Sequence, residues 1–278
     1  MIDRARLMPR VLRARDFRLY TERGKRLVDL WQDGGAAVLG HTPKGALKTL
    51  KNEAARGLLS PFPHPAEGRL FKALSALFPD KAFRAYADES ALCRAAAQAG
   101  FALSPPFADP SLGQRGPLCL WRPFLEDPED AIEDTAEDTT KDTIEEAGRL
   151  LIPVLPSALA PKVLVIPRRF EAAFPPAPLL PPVILAAAAR SAYALSAAGR
   201  GRFAAPQLIR AAPRWRRRGI YLSPAAPLTE EAYTAVFLQF LDAGFLLPPV
   251  KALPLILPAA LSPGEAAQLN TLLRGPFP

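Results

Sequence analysis

Cysteine and histidine are almost missing. The 278 residues hold two of each: Cys93, Cys119, His41 and His64. No Cys-x-x-Cys spacing occurs, so neither a disulfide framework nor a zinc site is expected, and a reducing cytoplasm is the default compartment. So few histidines leave no Ser-His-Asp or Cys-His set to assemble. Long apolar runs are missing too. None reaches the roughly 18 residues that span a bilayer, and the apolar stretch 183–189 stops at Arg190. No signal peptide is expected: the first 18 residues are dense in arginine and lack a continuous apolar stretch, while Asp3, Asp16 and Glu22 argue against a transit peptide. Neither a P-loop nor a Gly-x-Gly-x-x-Gly pattern occurs.

What is present is a globular composition, 49% hydrophobic, on a chain long enough for one large or two modest domains. Proline is abundant at 32 residues, about twice ordinary usage, which implies short elements and stiff connections. The net charge of +8 is uneven. Residues 126–146 carry eleven acids and one base, Lys141; the rest of the chain has 34 bases and 16 acids, a net of +18. The acidic stretch is low in complexity and reads as a solvated helix or a disordered insertion, with the insertion expected and solubility its role.

Residues 1–20 read as a basic lead-in. Alternation over 19–30 around Arg23-Gly24-Lys25 predicts a hairpin. Pro43 is expected to open a helix running to about Arg56, with Leu47, Leu50 and Ala54 at helical spacing. The connector Ser60-Pro61-Phe62-Pro63-His64-Pro65 is rigid. A second amphipathic helix is expected at 66–77 with Leu70, Leu74 and Leu77 on one face, then a strand at 83–86 and a helix at 90–99 closed by Gly100. Strands are expected at 118–121 and 163–166, and a largely alanine and apolar helix at 182–197. The last section predicts short strands at 220–222, 245–247 and 253–257. A helix capped by Thr229 with Glu230 and Glu231 in its first turn is expected to run to Ala243. In the final helix, Ser262, Pro263 and Glu265 form a capping box.

Several of these segments, in this order, resemble the class III, fold type I pyridoxal-phosphate-dependent aminotransferases, the group that includes glutamate semialdehyde aminomutase. The run Gly24-Lys25-Arg26-Leu27-Val28-Asp29 is similar to that family's N-terminal hairpin. Leu39-Gly40-His41 resembles its next loop, on the substrate side. Asp242-Ala243-Gly244-Phe245 and Leu261-Ser262-Pro263-Gly264-Glu265 resemble its last two helix boundaries. The likeness covers about residues 19–100 and 180–275, and the chain is shorter than family members in the cofactor domain. The resemblance implies an α/β fold: a reduced central sheet flanked by helices, plus a small α+β domain made by the two ends of the chain. The expected divisions are residues 1–65 contributing to the small domain, 66–219 as the central domain with insertion 126–146, and 220–278 as the C-terminal part. A full-size family core sheet has seven strands.

The resemblance also sets a chemical test. The family seats the cofactor phosphate on a Ser-Gly-Ser-Glu-Ala type turn at a helix start, where bare N–H groups and the helix dipole attract an anion. Here the matching residues are Ala87-Asp88-Glu89-Ser90-Ala91, and two carboxylates would repel a phosphate dianion. In the bland reading, Asp88 and Glu89 simply cap the following helix, which equally removes an empty anion site. The family needs a Schiff-base lysine and an Asp-Glu pair on a core strand for the pyridinium nitrogen. The one Asp-Glu pair is Asp88-Glu89, and between Asp142 and Val250 the one lysine is Lys162, the fallback candidate, at the start of a strand. His41 reads as a structural or solvated loop histidine. No metal site is expected.

The leading expectation is therefore an aminotransferase-like protein that binds no cofactor and is catalytically inactive, a pseudoenzyme serving as a structural or regulatory partner. The resemblance implies a homodimer, or a heterodimer with an active paralogue. Helix 182–197 and the basic N-terminus are expected interface pieces. Two alternatives stand beside it: an active pyridoxal-phosphate enzyme with a rearranged site using Lys162, and a basic nucleic-acid-binding module using Arg214-Trp215-Arg216-Arg217-Arg218 with Arg200 and Arg202. The bland reading of that cluster is a solvated loop, and neither nucleic acid nor membrane is the expected partner.

Overall fold

The computed structural model describes residues 3–41, 43, 45–125, 149–157, 159–198, 208–210 and 212–277; the acidic insertion 126–146 lies outside them. The chain divides into two units: Met1–Pro43 with Gly199–Pro278, and Lys44–Ala198.

In the first unit both ends of the chain build one sheet. The hairpin β2 (Arg18–Thr21) and β3 (Arg26–Asp29) pairs antiparallel with Leu19 opposite Leu27, and Gly24 takes the left-handed φ of +75° that its turn requires. On the outer side of β2 lies β1 (Val11–Arg15). The expected basic lead-in is thus partly strand, because its alternating residues satisfy their backbone groups on β2. On the inner side β10 (Phe245–Leu246) runs parallel to β3. A second, three-stranded sheet has the order β11 (Leu255–Ile256), β9 (Tyr221–Pro224), β8 (Trp215–Arg218).

Helix α5 (Glu230–Asp242) starts at Thr229, whose side chain accepts the Ala232 N–H, and it buries Tyr233, Val236, Phe237 and Phe240. Helix α6 (Pro263–Arg274) begins with both reciprocal bonds of the Ser262–Glu265 capping box. Arg4 is 5% exposed. Its guanidinium donates to the Pro249 carbonyl, Thr234 Oγ1 and a Glu230 carboxylate oxygen, and it sits 4.9 Å from the Tyr233 ring centroid. This satisfies its buried charge and anchors the N-terminal segment.

The second unit is a four-stranded sheet in the order β4 (Lys81–Tyr86), β7 (Lys162–Pro167), β6 (Leu150–Pro153), β5 (Leu118–Trp121). β7 is antiparallel to β4 and β6, and β5 is parallel to β6. Period-2 alternation gives the sheet two apolar faces. Phe83, Ala85, Val163 and Val165 pack with Leu70 and Leu74 of α2 (Ala66–Ser75) and with Leu185, Ala188 and Ala192 of α4 (Pro182–Ala197). Ala82, Tyr86, Leu164 and Ile166 pack with Leu92, Ala95 and Ala96 of α3 (Glu89–Gln98). Leu70 and Leu74 are fully buried, each contributing about 1.5–3 kcal/mol of transfer free energy.

Ten of the sixteen α4 residues are buried. This helix was an expected interface piece, but most of its surface is taken up within its own unit, packed on α1 (Ala46–Ala55) and α2. Helix α1 begins at Ala46, not at Pro43: Gly45 stands at its N-cap with φ +86°, a left-handed residue that breaks any helix arriving from Pro43.

Candidate functional site

The residues of the phosphate-turn test fold as a capped helix start. β4 ends at Tyr86, and Asp88 takes extended φ and ψ of −150° and 174° at the N-cap of α3. Its carboxylate accepts the Ala91 N–H at 2.7 Å, satisfying one of the bare donors that would otherwise face an anion. Glu89 is the first residue of the helix, where a carboxylate complements the dipole.

Lys162 arrives at the same place by strand register. The antiparallel ladder of β4 and β7 sets Lys162 opposite Tyr86, three residues before Glu89. Its Nζ lies 2.9 Å from Glu89 Oε1, with both side chains a little under half exposed. The fallback amine and the turn's carboxylate are each other's counter-ions. A phosphate dianion at this helix start would meet the Asp88 and Glu89 carboxylates and an amine already paired. These residues do not fit pyridoxal phosphate.

Beneath α3, the Tyr86 hydroxyl is buried with no hydrogen-bond partner among the described residues. Burial pushes its pKa upward, and the Arg84 charge works against that rise.

Gly40 and His41 belong to the other unit. Gly40 has φ +92°, and a Cβ there would lie 3.2 Å from the Asp16 Cα; the His41 N–H donates to the Asp16 carbonyl. His41 Nε2 lies 2.8 Å from Oδ2 of the buried Asp29. The other Asp29 oxygen accepts the backbone N–H groups of Trp31 and Gln32 at 2.9 Å each. That carboxylate therefore organises a turn in which Gln32 and Asp33 both adopt φ +48°, a conformation costing about 1–2 kcal/mol per residue without such support.

The arginine cluster is not a loop. Trp215–Arg218 is β8, paired with β9. Trp215 is buried against Phe240 and Phe277, Arg217 donates to the carbonyls of Gly219 and Ile209, and Arg214 stacks 5.6 Å from the Phe277 ring. Arg200 and Arg202 lie outside the described residues.

One polar centre went unread in the sequence. Asp109 and Arg122 are each 3% exposed. Arg122 Nε donates to both Asp109 oxygens at 2.9 Å, and Nη2 donates to Oδ2 at 2.6 Å. Ser111 adds its hydroxyl at 2.6 Å and its N–H at 3.0 Å to Oδ1. Thirteen residues apart in a proline-rich stretch, the pair gave no local signal. It fastens the segment before β5 to the end of that strand.

Among the described residues no group of three or more His, Cys, Asp or Glu could hold a metal ion, and no helix is long and apolar enough to cross a membrane.

No family model matches the chain. An uncharacterized protein of Treponema pallidum is 47% identical over 78 residues, 28% of this chain and 25% of its own length. Another, of Borreliella burgdorferi, is 43% identical over 56 residues, 20% of this chain and 21% of its own length. The match thus spans a quarter or less of these curated relatives. Among solved structures, an omega-transaminase from Sphaerobacter thermophilus aligns with a TM-score of 0.62 at 13% identity, covering 96% of this chain and 90% of that one. An ornithine aminotransferase of Plasmodium yoelii gives 0.59 at 11% identity over 96% and 92%. An acetylornithine aminotransferase of Elizabethkingia anophelis gives 0.60 at 12% identity over 96% and 92%. At such identities the likeness shows architecture alone: the chain has the α/β fold of the fold type I pyridoxal-phosphate transferases.

Proposed function

We propose that this chain is an aminotransferase-fold protein without transaminase chemistry, acting in the cytoplasm as a structural or regulatory partner, as a homodimer or beside an active paralogue. The observation that carries this reading is the Lys162–Glu89 ion pair at 2.9 Å. The one lysine available between Asp142 and Val250 is engaged by the carboxylate that stands in the phosphate turn. A Schiff-base lysine must instead present a free amine to an aldehyde. Asp88 supports the same reading, since it already holds a helix-start donor. So do the four strands that the sheet of the second unit has among the described residues, against seven in a full-size core.

Adding pyridoxal phosphate to the purified chain tests the proposal. The expected result is no yellow protein-bound chromophore after desalting, and no difference between the wild type and Lys162→Ala. A chromophore that stays with the wild type and disappears in Lys162→Ala would establish the rearranged-enzyme alternative instead.

A further inference from the structure

Strand register in the first unit lays four arginines and a tyrosine on one face of its four-stranded sheet. Arg13 of β1 stands opposite Tyr20 of β2, and Tyr20 stands opposite Arg26 of β3. In the next row Arg15 stands opposite Arg18. Residues two apart on a strand share a face, about 6.6–6.8 Å from one another, so the two rows form one continuous surface. The alternate residues Leu19 and Leu27 are buried on the other side. Arg13 and Arg15 are exposed and Tyr20 is half-buried. The Arg13 Cζ lies 5.6 Å from the Tyr20 ring centroid.

Crowding one sign of charge in this way is unfavourable, because like charges directly opposite on a sheet repel. Glu265 relieves part of it, accepting from Arg18 and Arg26. Arg15 has the exposed Asp16 at 3.8 Å, too far for a hydrogen bond. Arg13 makes no ion pair among the described residues. Guarding the edge of β1, the outermost strand, needs charge of either sign. An acid at position 13 or 15 would guard it equally and would pair with the cross-strand arginines instead of repelling them. Arginine at both positions is accounted for by an anion that arrives from outside.

The form of the surface indicates which anion. Guanidinium forks match phosphate oxygens and stack on planar rings. An acidic peptide would answer the arginines and leave the tyrosine among them without a role. A single strand of nucleic acid answers both, because its phosphates take the cations and its bases stack on the aromatic ring. We propose that this face binds single-stranded nucleic acid, with phosphates at Arg13 and Arg15 and a base against Tyr20. This role lies beyond the partner function above and shares no residue with β8.

Fluorescence anisotropy of the full chain with labelled oligothymidylate and oligouridylate, each about 16 nucleotides long, tests it. The wild type should bind both at low salt, with each phosphate held adding about −0.7 to the log–log salt slope. Arg13→Gln with Arg15→Gln should weaken binding at least about tenfold and flatten that slope by about 1.4. Tyr20→Leu should weaken it about fivefold or more and leave the slope unchanged. Arg94→Gln with Arg168→Gln removes as much charge from exposed positions of the second unit and should change neither quantity. Circular dichroism and thermal midpoints of both arginine double variants should match the wild type, since all four positions are exposed. Absence of binding at low salt, equal losses in the two double variants, or wild-type affinity in Arg13→Gln with Arg15→Gln or in Tyr20→Leu would each overturn the inference. So would displacement of the labelled strand by polyglutamate at equal charge, which would make the face a seat for acidic peptide. None of these readings depends on whether pyridoxal phosphate binds.

Discussion

Replacing Asp109 with alanine removes the carboxylate that receives three hydrogen bonds from Arg122 and two from Ser111. Both charged side chains are almost completely buried, so the guanidinium cannot turn to water when its carboxylate is lost. Breaking a buried pair from one side costs about 3–5 kcal/mol, a large fraction of the roughly 5–15 kcal/mol that holds a domain folded. For a domain of this size, each kcal/mol lowers the melting temperature by about 2–4 °C, so Asp109→Ala should melt roughly 6–20 °C below the wild type. Removing both charges is different. In Asp109→Leu with Arg122→Met, apolar groups replace a pair whose desolvation cost offsets most of its attraction, and the double variant should recover most of the loss. Urea unfolding of the two single variants and the double one completes the cycle. A single-variant loss under about 1 kcal/mol, or a double variant worse than both singles, would refute the idea that the pair is a buried charge clamp.

Other expectations follow from single contacts. Gly40→Ala forces a side chain into φ +92° against the Asp16 backbone and should cost about 1–3 kcal/mol in chemical unfolding; a neutral result would mean the loop relaxes freely. Asp88→Ala removes the α3 cap and should cost about 1 kcal/mol, a loss that Asp88→Ser should largely restore. Tyr86→Phe deletes a buried hydroxyl that has no partner among the described residues and should be neutral or stabilising by about 1 kcal/mol; a clear loss of stability would reveal a partner for it. Glu265 is raised by burial, but its bonds from Arg18 and the Ser262 N–H outweigh that and hold its pKa below the ordinary value. Its contribution is therefore full above the unfolded glutamate pKa of about 4.3 and is lost as pH falls through that value toward the folded one. The stability gap between wild type and Glu265→Gln should close over that acid range, and a gap that persists in acid would contradict the assignment.

Elements with strong local signals were legible in the sequence. The apolar helix α4 begins and ends where its prolines and final alanine place it, and the capping box of α6 is formed as written. The glycine turn set the β2–β3 hairpin. What escaped reading depends on distant partners. β8 is three arginines after one tryptophan, and only pairing with β9 and burial of Trp215 against Phe240 and Phe277 make it a strand. β6 is four residues long, too short to show a period, and takes its identity from β5 and β7 on either side. At the candidate site, Asp88 was legible as a cap, because Asp immediately before a helical run is a local signal. The Glu89–Lys162 contact was not, since it follows from the register of strands some eighty residues apart in sequence.

That the first sheet draws on both ends of the chain has a consequence for how the protein is born. β3 gains its parallel neighbour, and Leu30 receives the Ile256 N–H, only after residues 245–256 have been synthesised. Residues 44–198 form one continuous unit. The middle of the polypeptide can therefore fold while the hairpin at the start still waits, and any delay in finishing translation prolongs the exposure of that hairpin alone.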